Sequence, residues 1–245
     1  MSYLKTLIAG VLLACATHAH AEFSASVMLA TDYIFRGISN TDGDPAIQGS
    51  FDYEHDNGFY AGIWASNVKF RENADEDAVD TVAEATIEID YYAGLASEFG
   101  NGISWDIGAQ YITYPGSEKD LNYDYWEALG ALGYSFGDVT LEPEIVAEAY
   151  YSPDYFGKSG DATYITGILY LAIPRDFGVN ISVGRQQFRE DANLDYTDLK
   201  IGITRSLAGF DFELAYTDTN ISKSDCDDED ICSSRVVFSI ARAID

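Results

Sequence analysis

FSASVMLATDYIFRG, residues 23–37, alternates along its length: Phe23, Ala25, Val27, Leu29, Tyr33 and Phe35 fall on one face, and Ser24, Ser26, Asp32 and Arg36 on the other. A period of two marks a β-strand whose faces meet different surroundings. The pattern returns in residues 46–55, 83–96, 103–114, 139–151, 196–207 and 210–219, and more weakly in 59–68, 125–136, 162–173, 179–188 and 234–242, twelve segments in all. Segments of about ten residues suit the ~9–11 needed to cross a bilayer at a tilt; soluble strands average about five to six.

The connections sort by length. Short ones (56–58, 98–102, 137–138, 174–178, 208–209) alternate with long ones (39–45, 69–82, 115–124, 152–161, 189–195, 220–233). A membrane barrel has this asymmetry, with short periplasmic turns and long extracellular loops. The fold expected is therefore all-β: a closed antiparallel transmembrane β-barrel of about twelve strands in an up-and-down meander. An even strand count puts both termini on the periplasmic side.

The first residues, MSYLKTLIAGVLLACATHAHA, combine Lys5, an apolar run and the small-residue site Ala19-His20-Ala21. They read as a signal peptide over residues 1–21, cleaved to leave a barrel domain over 22–245. A lipoprotein site ending at Cys15 is the alternative, and Leu13 before Ala14 fits it poorly. No later stretch reaches the ~18 apolar residues of a spanning helix, so a membrane form must be a closed barrel. The expected location is the outer membrane of a Gram-negative bacterium.

Fourteen basic residues face forty-one acidic ones, a formal net charge of −27 that becomes −28 once Lys5 leaves with the signal peptide. Nucleic acid is excluded as a partner, because phosphate binding needs clustered Lys and Arg. The partners expected are outer-membrane lipid and lipopolysaccharide, small solutes, and the barrel-assembly machinery during insertion. Monomer and trimer both remain open.

The mature chain has one histidine, His55, beside the Asp56-Asn57-Gly58 turn. That denies it a multi-histidine metal site, leaves His55 a turn residue, and gives a lipid-face Ser–His phospholipase pair little to draw on. No catalytic residue, metal site or cofactor is expected. Cys226 and Cys232 are a lone close pair in an exported chain, for which one disulfide is the expectation. The acidic runs 72–80 and 225–232 lack the ordered spacing of a calcium loop. They read as solvated surface charge, with bridging to lipopolysaccharide as the alternative.

The segment DYIFRGIS, residues 32–39, resembles the start of the TorF family of proteobacterial exported proteins described as porins. The likeness continues in AIQGSFDYEHDNGFYAGIWASNV (46–68), EIDYYAG (88–94) and Tyr114-Pro115-Gly116, and spans essentially the whole mature chain. It departs at Asn40, where the family usually has Gln. The sequence ends Ala243-Ile244-Asp245 without the terminal aromatic that assembly machinery usually reads, a role left to Phe238. The resemblance implies a porin.

Strand parity gives the residues expected to line the channel: Asp32, Asp52, Glu54, Glu88, Asp90, Asp106, Gln110, Glu127, Glu142, Glu144 and Glu148, with three bases, Arg36, Lys200 and Arg235. A water-filled tube with low-dielectric walls concentrates counter-ions of its fixed charge, so cations are favoured. The bases, expected toward the outer strand ends opposite Glu88, Glu127 and Glu148, set either a transverse field for zwitterionic solutes or cross-lumen salt bridges that fill the barrel. Tyr92, Tyr125, Tyr164 and Tyr170 narrow the bore, while Tyr33, Phe35, Trp105, Tyr111, Trp126, Phe136, Phe210 and Tyr216 form the interfacial girdles. Two functions follow: passive diffusion of small polar or cationic solutes, or a closed structural or adhesive barrel that works through its acidic loops.

Overall fold

The computed structural model of the chain describes residues 22–71, 83–137, 139–226 and 230–244. The signal-peptide segment 1–21 and the acidic run 72–80 lie outside the described residues, as do Asp138, residues 227–229 and Asp245.

Twelve long strands form the wall: β1 (Glu22–Ala30), β2 (Ala46–Glu54), β3 (Phe59–Arg71), β4 (Ala83–Phe99), β5 (Ile103–Thr113), β6 (Tyr125–Ser135), β7 (Glu144–Ser152), β8 (Ala162–Ile173), β9 (Phe177–Phe188), β10 (Tyr196–Leu207), β11 (Phe210–Thr219) and β12 (Arg235–Ile244). Each pairs antiparallel with its neighbours in sequence, and β1 closes on β12 from Ala25↔Ile244 to Ala30↔Ser239. Closure gives each strand a paired neighbour on both sides among the described residues, the condition hydrocarbon imposes on a sheet. Both Glu22 and Ile244 lie at the end of the barrel that carries the short turns.

Alternation decides which way each side chain points. Phe23, Val27 and Leu29 on β1, Ile107 on β5, Leu132 on β6 and Ile203 on β10 face outward and are exposed, forming an apolar band. Outward aromatics flank it: Tyr111 stacks on Trp126 at 4.5 Å, and Phe136 and Tyr216 are exposed. Phe238 also faces outward on β12.

The first strand departs from expectation. β1 stops at Ala30, and residues 31–45 turn into the barrel, where Ile34–Phe35 pairs with Ile38–Ser39 in a short hairpin of its own. Alternation persists beyond Ala30 because that hairpin is also extended. Tyr33 and Phe35 are therefore interior residues, not girdle residues: Tyr33 is buried and Phe35 packs against the interior cluster. β7 likewise begins at Glu144, five residues later than expected. Leu141 and Glu142 take left-handed backbone angles, φ 69° and 41°, which a strand cannot contain. Glu142 is thus an exposed turn residue and not a channel-lining one.

The core sits inside the barrel at its long-loop end. Ala30, Tyr33, Ala46, Val68, Ile112 and Tyr125 are buried there, with Trp64, Phe70, Tyr123 and Phe156 packed against them. Tyr123 and Phe156, from the loops after β5 and β7, stack at 4.3 Å.

The outward band is testable by charge. Ile107→Arg should cost about 2–4 kcal/mol if Ile107 faces mid-bilayer, measured by urea titration of refolding into lipid vesicles. A cost below about 1 kcal/mol would put it near an interface.

Candidate functional site

The interior is built from one kind of contact used repeatedly: a tyrosine hydroxyl donating to a carboxylate. Tyr60 donates to Asp106 at 2.8 Å, Tyr33 to Glu88 at 2.6 Å, Tyr150 to Glu148 at 3.1 Å and Tyr164 to Asp198 at 3.0 Å, and Tyr92 donates to Asp52. The rings lie along the wall, which requires a bare backbone beneath them. A Cβ on Gly184 would stand 2.0 Å from the Tyr164 hydroxyl, and one on Gly94 2.3 Å from that of Tyr60. Glycine at these positions gives the tyrosine room to reach its acid.

The hairpin of residues 31–45 is held at its root by Asp32. Its carboxylate accepts from Ser39 Oγ at 2.6 Å, Thr41 Oγ1 at 2.8 Å and Arg235 Nη1 at 2.6 Å. Thr41 Oγ1 in turn accepts from the Tyr33 backbone N–H at 3.0 Å. The last long loop supports the other side: the Ser39 N–H donates to the Ile231 carbonyl at 2.9 Å, and Arg235 donates to the Asp230 carbonyl. Cys226 and Cys232 are joined in that loop, S–S 2.01 Å, and both are buried. Lys223 bonds the exposed Asp230 carboxylate there and holds its pKa below the ordinary aspartate value.

At the hairpin tip Arg36 and Gly37 have φ 48° and 84°, the pair of positive angles that a two-residue type I′ turn requires. The tip reaches the wall at β10 and β11: a Cβ on Gly37 would lie 2.6 Å from Thr219 and 2.8 Å from Asp198. Arg36 is delivered into the lumen from here, and not from β1 as expected. Its guanidinium gives two bonds to Glu127, 2.9 and 2.7 Å, and one to Gln186 Oε1 at 3.1 Å. The two ionic side chains are 6% and 2% exposed. A pair this buried is strongly destabilised when one partner is removed, by about 3–5 kcal/mol.

Asp52, Glu88, Asp90, Asp106, Gln110, Glu127, Glu144, Glu148, Lys200 and Arg235 all lie on the inward parity of their strands, and Glu54 shares it at the exposed short-turn rim. Asp32 and Arg36 are inside by way of the hairpin. The three bases do not form one cluster, because each has its own acid: Arg36 with Glu127, Lys200 with Glu213 at 2.9 Å, and Arg235 with Asp32. Gln110 donates to Glu127 at 2.8 Å.

The inward residues that escaped the sequence reading include Asp198, Glu213, Asn180 and Gln186, with Glu98 on β4. Their signal was present, since Asp198 sits two residues before Lys200, and Asn180 and Gln186 share one parity on β9. Among the described residues, no ion pair involves Asp52, Glu88, Asp90, Asp106, Glu144, Glu148 or Asp198, so the lumen is acidic. Asp90 Oδ1, Ser152 Oγ and Gln186 Nε2 are buried and have no hydrogen-bond partner among the described residues. Below the hairpin, toward the short turns, a cavity of about 60 Å³ is lined by Glu98, Asp106, Leu129, Glu144, Glu148 and Tyr170.

The root of the hairpin is separable from the wall. Asp32→Ala leaves three donors unmatched and should lower the local stability of the hairpin by about 3–5 kcal/mol. Hydrogen exchange should then accelerate at the Tyr33 and Asn40 amides while the β1–β12 seam stays protected. Equal acceleration in both would make Asp32 a residue of the whole fold.

No curated protein matches this chain. Among solved structures it resembles the KdgM porin (TM-score 0.56, 7% identity, 91% of this chain and 98% of that one) and the KdgM porin in complex with disordered oligogalacturonate (0.59, 6%, 91% and 99%). It also resembles the NanC porin (0.54, 9%, 91% and 98%). At such identities the likeness is one of fold: a closed twelve-stranded antiparallel barrel like those of outer-membrane porins. The TorF designation is narrower than any of these matches. Residues 14–244 match the family model described as bacterial protein of unknown function (Gcw_chp), and the chain belongs to that family.

Proposed function

We propose that the protein is a narrow outer-membrane channel that passes small cationic or polar solutes and performs no chemistry on them. The observation that carries this reading is the charge balance of the inner wall: seven inward carboxylates have no ion pair among the described residues, while Arg36, Lys200 and Arg235 are each matched to an acid. In a low-dielectric tube that surplus concentrates cations and repels anions. The porin-like fold supports the outer-membrane location. The hairpin of residues 31–45 is the constriction, and solute passes beside or through the space it occupies.

A twelve-stranded barrel lies between the eight strands that side chains fill and the sixteen that leave an open pore, so conductance is small. Reversal potentials across planar bilayers in a salt gradient should show cation preference, and anion preference would overturn the reading. Asp106→Asn with Glu148→Gln should reduce that preference.

A second reading has its own support. The buried Arg36–Glu127 pair and the aromatic cluster fill the long-loop half of the barrel, as in a closed structural barrel. Arg36→Ala distinguishes the two. A channel with this constriction gains conductance several-fold on losing it, whereas absence of current from both folded wild type and variant, with no swelling of proteoliposomes in sugars, amino acids or small amines, favours the closed barrel.

A further inference from the structure

Arg36 is held in the way a bound ligand is held. Glu127 presents both oxygens to its guanidinium, Gln186 presents a third acceptor, and aromatic rings cover it: Tyr164, Phe35 and Tyr150 have centroids 4.4, 4.7 and 4.9 Å from Cζ, with Tyr155 at 6.0 Å. Planar acceptors facing a fork of N–H donors, with π-faces over the delocalised charge, are the chemistry that recognises guanidinium and not a point charge. Apart from Phe35, these groups come from the wall strands β6, β7, β8 and β9 and the loop after β7. Their positions are set by the barrel and not by the hairpin that brings Arg36.

Two independent features mark this as a site and not a stabilising pair alone. Arg36 occupies the first central position of a type I′ turn at φ 48°, a place dominated by Asn, Asp and Gly. An arginine there carries backbone strain, which the fit of its side chain into the cage offsets. Gln186 is 1% exposed, and its amide nitrogen has no partner among the described residues although its oxygen is already bonded to the guanidinium. The cage therefore holds an unused donor suited to an acceptor on a solute. By contrast, Lys200 and Arg235 are matched by carboxylates with no aromatic ring over either charge among the described residues.

We propose that the cage of Glu127, Gln186, Tyr150, Tyr155 and Tyr164 is a binding site for solutes carrying a guanidinium group, and that Arg36 is its tethered occupant, displaced when such a solute enters. This deepens the channel reading, and rests on it, by naming the class of cation that the lumen selects. Exchange of one guanidinium for another keeps Glu127 paired throughout, so the hairpin is released without leaving a buried charge uncompensated.

Binding is measured in detergent, where conduction plays no part. Arg36→Gly empties the cage and suits the left-handed turn. The purified variant should bind methylguanidinium, read by ligand-observed NMR and by a raised unfolding temperature, and it should bind the uncharged N-methylurea far less. Adding Glu127→Gln should weaken methylguanidinium binding about tenfold or more, since charged hydrogen bonds are lost. Equal binding to the single and double variants would overturn the proposal. Wild-type protein gives a second measurement that requires no substitution. Methylguanidinium should accelerate hydrogen exchange in residues 33–40 relative to sodium chloride at equal ionic strength, and identical exchange in the two salts would show that Arg36 is not displaced. Absent bilayer current alongside normal methylguanidinium binding would sink the channel reading and leave the site standing.

Discussion

Pairing of β1 with β12 is the constraint from which the remaining structure follows. An open twelve-stranded sheet would end in two rows of unpaired N–H and C=O groups, which hydrocarbon does not tolerate. The six-residue seam from Ala25↔Ile244 to Ala30↔Ser239 satisfies those rows. Once the sheet is closed, each strand has one face outside and one inside, set by a side-chain period of two, which the register shift between β3 and β4 interrupts so that Ala85 and Glu88 are both buried. The apolar band and the acidic lumen are thus two consequences of a single register.

Closure also creates a problem of volume. The interior of a twelve-stranded barrel is wider than wall side chains alone fill, and here the chain supplies the filling from the first long loop. The hairpin of residues 31–45 enters at the long-loop end and brings Tyr33 and Phe35 into contact with wall residues. Its root is fixed by Asp32 and its tip by Arg36, each bonded to strands distant in sequence: Arg235 on β12, Glu127 on β6 and Gln186 on β9. Polar bonds suit this task, because they fix one orientation of the insert where an apolar plug would slide.

The wall was legible because a strand with unlike faces leaves a periodic trace, and because turns that must be short select Gly, Asn and Asp. The interior was legible only as a parity. Parity placed Asp106 and Glu148 inside, yet it carries no information on which tyrosine reaches which acid, since those contacts cross strands. The hairpin misled for a specific reason. Residues 31–35 alternate as β1 does, and what turns them inward is the chemistry of Asp32, Ser39 and Thr41 meeting one another and Arg235, a contact spanning about two hundred residues. The Arg36-Gly37 dipeptide was the available signal, as a Gly after a polar residue between the short extended pairs Ile34-Phe35 and Ile38-Ser39 reads as a tight hairpin turn. β7 illustrates the same limit, since Leu141 and Glu142 continue an alternating pattern that their positive φ angles interrupt.

The lumen reconciles two demands that usually conflict. A fixed negative field needs carboxylates, and carboxylates facing a confined, partly filled interior need hydrogen-bond donors in place of lost water. Bases would satisfy them at the cost of the field. Tyrosine hydroxyls serve five of them, Asp52, Glu88, Asp106, Glu148 and Asp198, as neutral donors that add no opposing charge, and the inward glycines give the rings room against the wall. Bases are kept instead for points that must be tied together: β10 to β11 through Lys200 and Glu213, the hairpin root to β12, and the hairpin tip to β6. The division of labour between neutral and charged donors is therefore what allows an insert to be locked inside a lumen that keeps its surplus of carboxylates toward the short-turn end.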